Sequence, residues 1–323
     1  MAAGSKTANG SAAPAPPGLS AGRLSTGWLA VVMVVFAVIS GIQLKDQYPF
    51  VHNFHHQIDS PILAVELPGC ANDLNSVLGT AHPAAANPAR VTELFDCNNK
   101  LVGALQNIKP ADNDPKAYPA RRAVAGLRTN TYEDFAFILL YNLFLWKFAA
   151  LFAFGANGKP TVDRKIMAAV VVLIAVFDGM ENLGILHALS ASRLTDSMAH
   201  AIGLPSRCKW GLFAAALLLT GWILARSESP VYSLPTRRLL ALAYGSAGTL
   251  LLIGLGVPDV IELATDIFAV LVLVNIVGLL GPWFERRFLQ PNPPEYVEDF
   301  CNQKAKKRVE VAVYPSKLLG DEK

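Results

Sequence analysis

The stretch "VFDGMENLG", residues 176–184, places Asp178, Glu181 and Asn182 inside an apolar run, between "IMAAVVVLIA" and "ILHAL". Positions three and four apart are neighbours on a helix, so the three side chains share one face. A charged group at the centre of a hydrocarbon core costs about 2.5–3.5 kcal/mol on insertion scales. That cost predicts a face turned to a bundle interior, to water or to a partner. Three kinds of chemistry are open to it. Carboxylates can bind a hard cation such as Ca²⁺ or Mg²⁺, which prefers oxygen ligands. They can relay protons or a cation through a bundle. Or the polar groups hold helices together by hydrogen bonds worth about 1 kcal/mol each.

Other apolar runs carry similar stripes. Asp259, Glu262 and Asp266 are spaced three and four apart, while Asp134 and Tyr141 are seven apart, with Asn142 beside Tyr141 and Lys147 further in. Lys209 precedes Trp210 at the start of a further run. The acids on these runs point to an acid-lined cavity that Lys209 or Lys147 neutralises in part. Lys147, near a run's end, can equally snorkel to the interface. "HNFHH" supplies His52, His55 and His56, an H-x-x-H-H pattern like one box of a membrane di-iron enzyme. With six histidines in all, and His82, His187 and His200 isolated, one box does not fill such a site, and an interfacial helix turn is the expectation. There is no phosphate loop, nucleophile elbow or H-E-x-x-H helix. "YGSAG", residues 244–248, is read as a close helix-packing patch.

The elements that must position these groups are membrane helices. The chain has 323 residues, 52% hydrophobic and 16% charged, with mean hydropathy +0.35; soluble domains average about 25% charged. Several runs approach the roughly 20 residues needed to cross a bilayer. Six spans are predicted, over about 28–44, 134–154, 166–189, 209–225, 239–256 and 258–280. "GPW", residues 281–283, is expected to end the last. Residues 1–27, rich in Ala, Gly, Ser and Pro, are expected to be disordered, and the first span to be an uncleaved anchor. The tail 282–323 is polar, and its "KAKKR" (Lys304, Lys306, Lys307, Arg308) is either a solvated run or a contact for anionic lipid. With a net charge of only +3, nothing points to nucleic acid.

Basic residues set the orientation. Lys159, Arg164 and Lys165, then Arg226, Arg237 and Arg238, then Arg286 and Arg287 flank alternate span ends, against Arg193 and Arg207 in the loop between the third and fourth spans. Both termini are therefore expected in the cytoplasm, with residues 45–133 forming an extracytoplasmic helical cap. In that cap "SPILAVEL" and "NPARVTELFDCNNKLVGALQNI" each begin with an N-cap residue and proline, which predicts helices. A Cys70–Cys97 bridge there would close a loop of about 27 residues and stabilise by roughly 3–4 kcal/mol.

"VEL" (Val65–Leu67), "DFAFILLY" (Asp134–Tyr141), "DGMEN" (Asp178–Asn182) and "CKW" (Cys208–Trp210) together resemble a group of small, uncharacterised bacterial membrane proteins. That group has F-E-L, D-F-x-F-I, D-x-x-E-N and a lysine opening its fourth span. The resemblance covers about residues 28–225. It implies a four-helix unit with a polar centre, a bacterial inner (cell) membrane location, and Glu66 as a further candidate at the cavity mouth. This chain departs by a longer outer insertion with two cysteines. The resulting expectation is an all-α transmembrane bundle whose outward-facing acidic cavity, centred on Asp178, Glu181 and Asn182, binds or conducts a cation or proton. Asp134, Tyr141, Glu262, Asp266, Lys209 and Glu66 would surround that centre. A membrane-embedded enzyme acting on lipid and a non-catalytic scaffold or assembly factor are the alternatives, and no cofactor is indicated.

Overall fold

The computed structural model describes residues 17–47, 61–78, 92–95, 101–105, 119–154, 161–191, 194–229 and 231–285. Long helices dominate. They are α1 (Pro17–Gln47), α4 (Pro119–Ala150), α5 (Val162–Ser190), α6 (Asp196–Arg226), α7 (Leu234–Gly254) and α8 (Asp259–Phe284). Two short helices, α2 (Pro61–Glu66) and α3 (Ala71–Leu78), and a strand pair, β1 (Thr92–Phe95) and β2 (Leu101–Leu105), lie between α1 and α4 in the chain. Among the described residues four helices are long and apolar enough to cross a membrane: Ala21–Ile42 within α1, α5, α6, and Val260–Phe284 within α8. By these four helices the chain reads as an integral membrane protein. α4 packs against α1 and α5, and α7 lies along α6. The chain divides into two compact units, residues 1–279 and 280–323, and the site described below lies entirely in the first.

Side-chain size sets the spacing of the helices. Gly221 of α6 and Gly248 of α7 let the two backbones meet. A Cβ on Gly221 would sit 2.7 Å from the carbonyl oxygen of Ala241, and one on Gly248 would sit 2.9 Å from that of Ala214. This is the close approach expected of "YGSAG", although a Cβ on Gly245 itself would meet open space. Phe144 and Phe148 of α4 and Phe152 just beyond it, spaced four residues apart, form a ladder in which Phe148 stacks on Tyr244 and Phe152 on Tyr232, both at ring separations of 5.6 Å. Asn275 of α8 ties both tyrosines together. Its Nδ2 donates to the Tyr244 hydroxyl at 2.8 Å, and its Oδ1 accepts from the Tyr232 hydroxyl at 3.0 Å.

Among the described residues two prolines lie inside helices, and each frees a carbonyl four residues back. In α8, Pro282 leaves the Gly278 oxygen without its helical donor. Arg23 of α1 supplies the replacement, its Nη2 donating at 2.6 Å and its Nε reaching the Leu279 oxygen at 3.2 Å. In α6, Pro205 frees the Ala201 oxygen. Gly184 of α5 faces that oxygen, and a Cβ there would lie 3.1 Å from it.

Several boundaries depart from the sequence reading. α1 starts at Pro17, so residues 17–27 are helical, and proline at the first position suits a helix start. α4 starts at Pro119, before the apolar run, because "RRAVAGLR" keeps helical spacing without being apolar enough to be counted as a span. α6 starts at Asp196, capped by Thr195 Oγ1, which accepts from the Met198 amide at 3.4 Å. α8 continues through "GPW" to Phe284 because Arg23 satisfies the carbonyl that proline frees. The helix expected after Asn87–Pro88 is instead an antiparallel strand pair, with Thr92 opposite Leu105 and Phe95 opposite Leu101. Threonine, phenylalanine and valine favour a pleated surface, and "DCNN" between the strands is rich in turn-forming residues.

Candidate functional site

Glu66, Asp178, Glu181 and Lys209 meet in one buried cluster with exposures of 7%, 3%, 0% and 6%. Lys209 is at its centre. Its Nζ donates to Glu66 Oε2 at 3.0 Å, to Asp178 Oδ1 at 3.2 Å and to Glu181 Oε1 at 3.0 Å. Glu181 Oε2 also lies 2.8 Å from the ammonium. Tyr141 donates a short hydrogen bond to Asp178 Oδ2. Asn182 Nδ2 donates to Asp134 Oδ2 at 2.8 Å, which brings a fourth carboxyl to the margin of the cluster.

Each arm is placed by its helix. On α5, Asp178, Glu181 and Asn182 share the inward stripe with Ile174 and Ile185, and all five are buried. On α4, Asp134, Ile138 and Tyr141 face α5 at helical spacing, with Ile138 and Tyr141 buried. Lys209 lies on the same α6 face as buried Ile202, Ser206 and Phe213. It sits mid-helix rather than opening a span, so its ammonium is held within the bundle.

Glu66 reaches the cluster because α2 is seated on α6. Leu63 and Leu67 are buried in the core on either side of it. The turn after α2 rests on Gly203, where a Cβ would come within 2.7 Å of the Pro68 carbonyl oxygen. Asp196 Oδ1 accepts from the Ala71 amide at 2.8 Å, capping α3, and Asp73 Oδ2 accepts from the Gly69 amide at 2.8 Å. Burial pushes the Glu66 carboxyl above its usual 4.5; Lys209 opposes the rise and the neighbouring Asp178 charge adds to it.

Beside the cluster is a cavity of about 260 Å³. Glu66, Asp134, Asp178, Tyr141 and Lys209 form its polar end. Its other walls are aromatic and aliphatic: Phe137 from α4, Trp210 and Phe213 from α6, Met33, Val34 and Ala37 from α1, and Phe268 and Val272 from α8. Ala37 and Ala269, which line the cavity, are exposed.

The structure gathers Asp178, Glu181, Asn182, Asp134, Tyr141, Lys209 and Glu66. It does not gather the α8 acids. Asp266 is exposed, Glu262 is half-buried, and neither lines the cavity. Thr265, Phe268 and Val272 take the inward face of α8, and the acidic stripe lies to one side of them. Asn142 turns back to its own helix, donating to the Ile138 oxygen at 2.8 Å. Lys147 reaches Ser25 Oγ at 3.3 Å, away from the cluster. His187 and His200 are exposed. His52, His55, His56, His82, Asp259's side chain and the "KAKKR" run lie outside the described residues, as does Cys97, the expected partner of Cys70. Cys208 is a free thiol. Among the described residues no three His, Cys, Asp or Glu side chains converge closely enough to hold a metal ion.

The sequence reading missed the aromatic wall. Its signal was present as Phe137 with Tyr141 and Trp210 with Phe213, pairs at helical spacing on the same faces as the polar residues. In membrane helices such pairs look the same as ordinary packing. Compared with protein-family models, curated proteins and solved structures, the chain matches none.

Proposed function

We propose that the protein is an integral membrane protein whose buried acid cluster holds and exchanges a proton, with Glu66 as the group that carries it. One observation supports this above the others: three carboxyl groups meet a single ammonium, and a fourth, Asp134, stands at the margin. Full ionisation would leave a large negative excess away from water. The idealised cost of burying one unpaired ion is of order 20 kcal/mol, and several kcal/mol survive relaxation. Holding a proton relieves that excess. A metal ion suits the cluster less well than a proton, because Lys209 Nζ already occupies the centre of the oxygen cage.

The same reading includes six spans, with α4 and α7 crossing beside the four strongly apolar helices. Exposed Leu139, Leu143, Leu239 and Leu242 on their outer faces support this. Residues 45–133 then cap the bundle on the outer side of a bacterial inner membrane, and both termini are cytoplasmic. Arg23, Lys147 and Arg164, Arg226 and Arg237 fall at the helix ends that this orientation places inside. Glu66, on α2 rather than on a span, is the proton's route to the outer phase.

Infrared titration of the purified protein in bilayers tests the proton assignment. A protonated-carboxyl carbonyl band should persist above the usual range of glutamate titration and disappear in Glu66→Gln. A wild-type protein with no such band, or with one that Glu66→Gln leaves intact, would overturn the assignment of the proton to Glu66.

A further inference from the structure

The cavity beside the cluster carries a second chemistry that a proton site does not need. Phe137, Tyr141, Trp210, Phe213 and Phe268 form a continuous chain of rings along it. Phe137 and Tyr141 are 5.5 Å apart, tilted by 53°. Tyr141 and Phe213 are 5.8 Å apart at 90°, and Trp210 and Phe213 are 6.0 Å apart at 88°. Phe213 and Phe268 are 5.1 Å apart at 84°. Orthogonal rings turn both faces and edges towards one space, and aromatic faces attract a cation within about 6 Å.

The polar end favours a particular kind of cation. Glu66 Oε2 and both oxygens of Asp178 already accept from Lys209 or Tyr141, and Asp134 Oδ2 accepts from Asn182. A primary ammonium, which must place three N–H donors, finds few acceptors free. An ammonium whose hydrogens are replaced by alkyl groups needs only a negative field and ring faces. Of the cavity's volume, a water takes about 30 Å³, so there is room for such a headgroup and the start of a chain. The chain would leave between α1 and α8, past the exposed rim residues Ala37 and Ala269.

We infer that this cavity binds an amphiphile with a quaternary ammonium headgroup, admitted from the bilayer between α1 and α8, its charge taking the place of the exchangeable proton. The inference rests on the proton reading above for the exchange, and on the aromatic wall for the headgroup.

The test uses the full chain in nanodiscs, with binding read from tryptophan fluorescence and from thermal shift. The probes are dodecyltrimethylammonium, dodecylamine, tetramethylammonium and a neutral dodecyl glycoside. The quaternary amphiphile should bind saturably and at least tenfold more tightly than the other three, and its affinity should fall on acidification. Phe213→Leu, and separately Phe268→Leu on α8, should each weaken it by about tenfold while leaving the carboxyl infrared band in place. The second variant covers the case in which the first fails to fold. Equal affinity for tetramethylammonium would overturn the amphiphile, and equal affinity for dodecylamine or the glycoside would overturn the quaternary headgroup. If Glu66→Gln removes the infrared band and dodecyltrimethylammonium does not bind, the inference fails and the proton reading stands. Tight binding that both aromatic variants weaken but pH leaves unchanged overturns the exchange.

Discussion

Lys209 carries more of the site than any other side chain, since its single ammonium meets three carboxylates. Breaking a buried ion pair by removing one partner costs about 3–5 kcal/mol, because the charge left behind has no compensation. Lys209→Met should therefore destabilise the protein by about that much at neutral pH, and acidification should recover part of the loss as the stranded carboxylates take up protons. Denaturant titration at two pH values measures both effects. Glu66 gives a second expectation, with its sign set by linkage. Its carboxyl binds a proton more tightly in the folded chain than the reference 4.5. The stability it contributes is therefore fully present below about 4.5 and is lost as pH rises through the raised value. In Glu66→Gln that part of the pH dependence should vanish, so the difference in melting temperature between wild type and variant should change steadily with pH above 4.5 and be flat below it. A difference that is constant throughout would contradict the buried, proton-holding state.

Single helices position these groups through contacts distant from the charges. α2 is six residues long, too short to be stable alone, and it is held by its seat on Gly203 and by the Asp196 cap on α3. Gly203→Val would drive carbons into the Pro68 carbonyl and lift α2 away. The expected cost is about 1–3 kcal/mol, as for other overpacked positions. The Glu66 infrared band should be lost although Glu66 itself is unchanged; a retained band would show that α2 is held by other means. At the far end of the bundle, Arg23 takes over the hydrogen bond that Pro282 cannot make. Arg23→Met leaves a half-buried carbonyl unsatisfied and should cost about 1 kcal/mol. The double variant with Pro282→Ala, which restores the helical donor, should regain most of it. Thermal unfolding of the two variants in the same detergent is the measurement.

For the whole molecule the orientation is the testable claim. Reporters fused after Lys323 and inserted within residues 106–118 should report opposite sides of the membrane, cytoplasmic and extracytoplasmic respectively; a common side would reverse the six-span reading. Much of the architecture was legible beforehand. A membrane helix must be predominantly apolar over about 20 residues, and the long runs around α1, α5, α6 and α8 therefore identify themselves by composition alone. The polar residues of α5 were legible for the same reason, since an acid in such a run is costly and must find a partner. Chain folding alone settled which partners they found. Lys209 read as the start of a helix, yet α6 begins at Asp196 and runs through Pro205, whose freed Ala201 carbonyl faces Gly184. Glu262 and Asp266 share a stripe as regular as that of Asp178 and Glu181, but α8 is rotated so that Thr265 and Phe268 face inward. Period along a helix says which residues lie together on a face; it carries no information on which way that face turns. The strand pair at Thr92–Phe95 and Leu101–Leu105 depended on pairing between two segments, an interaction that helical spacing does not report. The types of residue at the centre thus follow from the high cost of polarity in lipid, and their convergence on one lysine beside an aromatic hollow follows from how the helices rotate and pack.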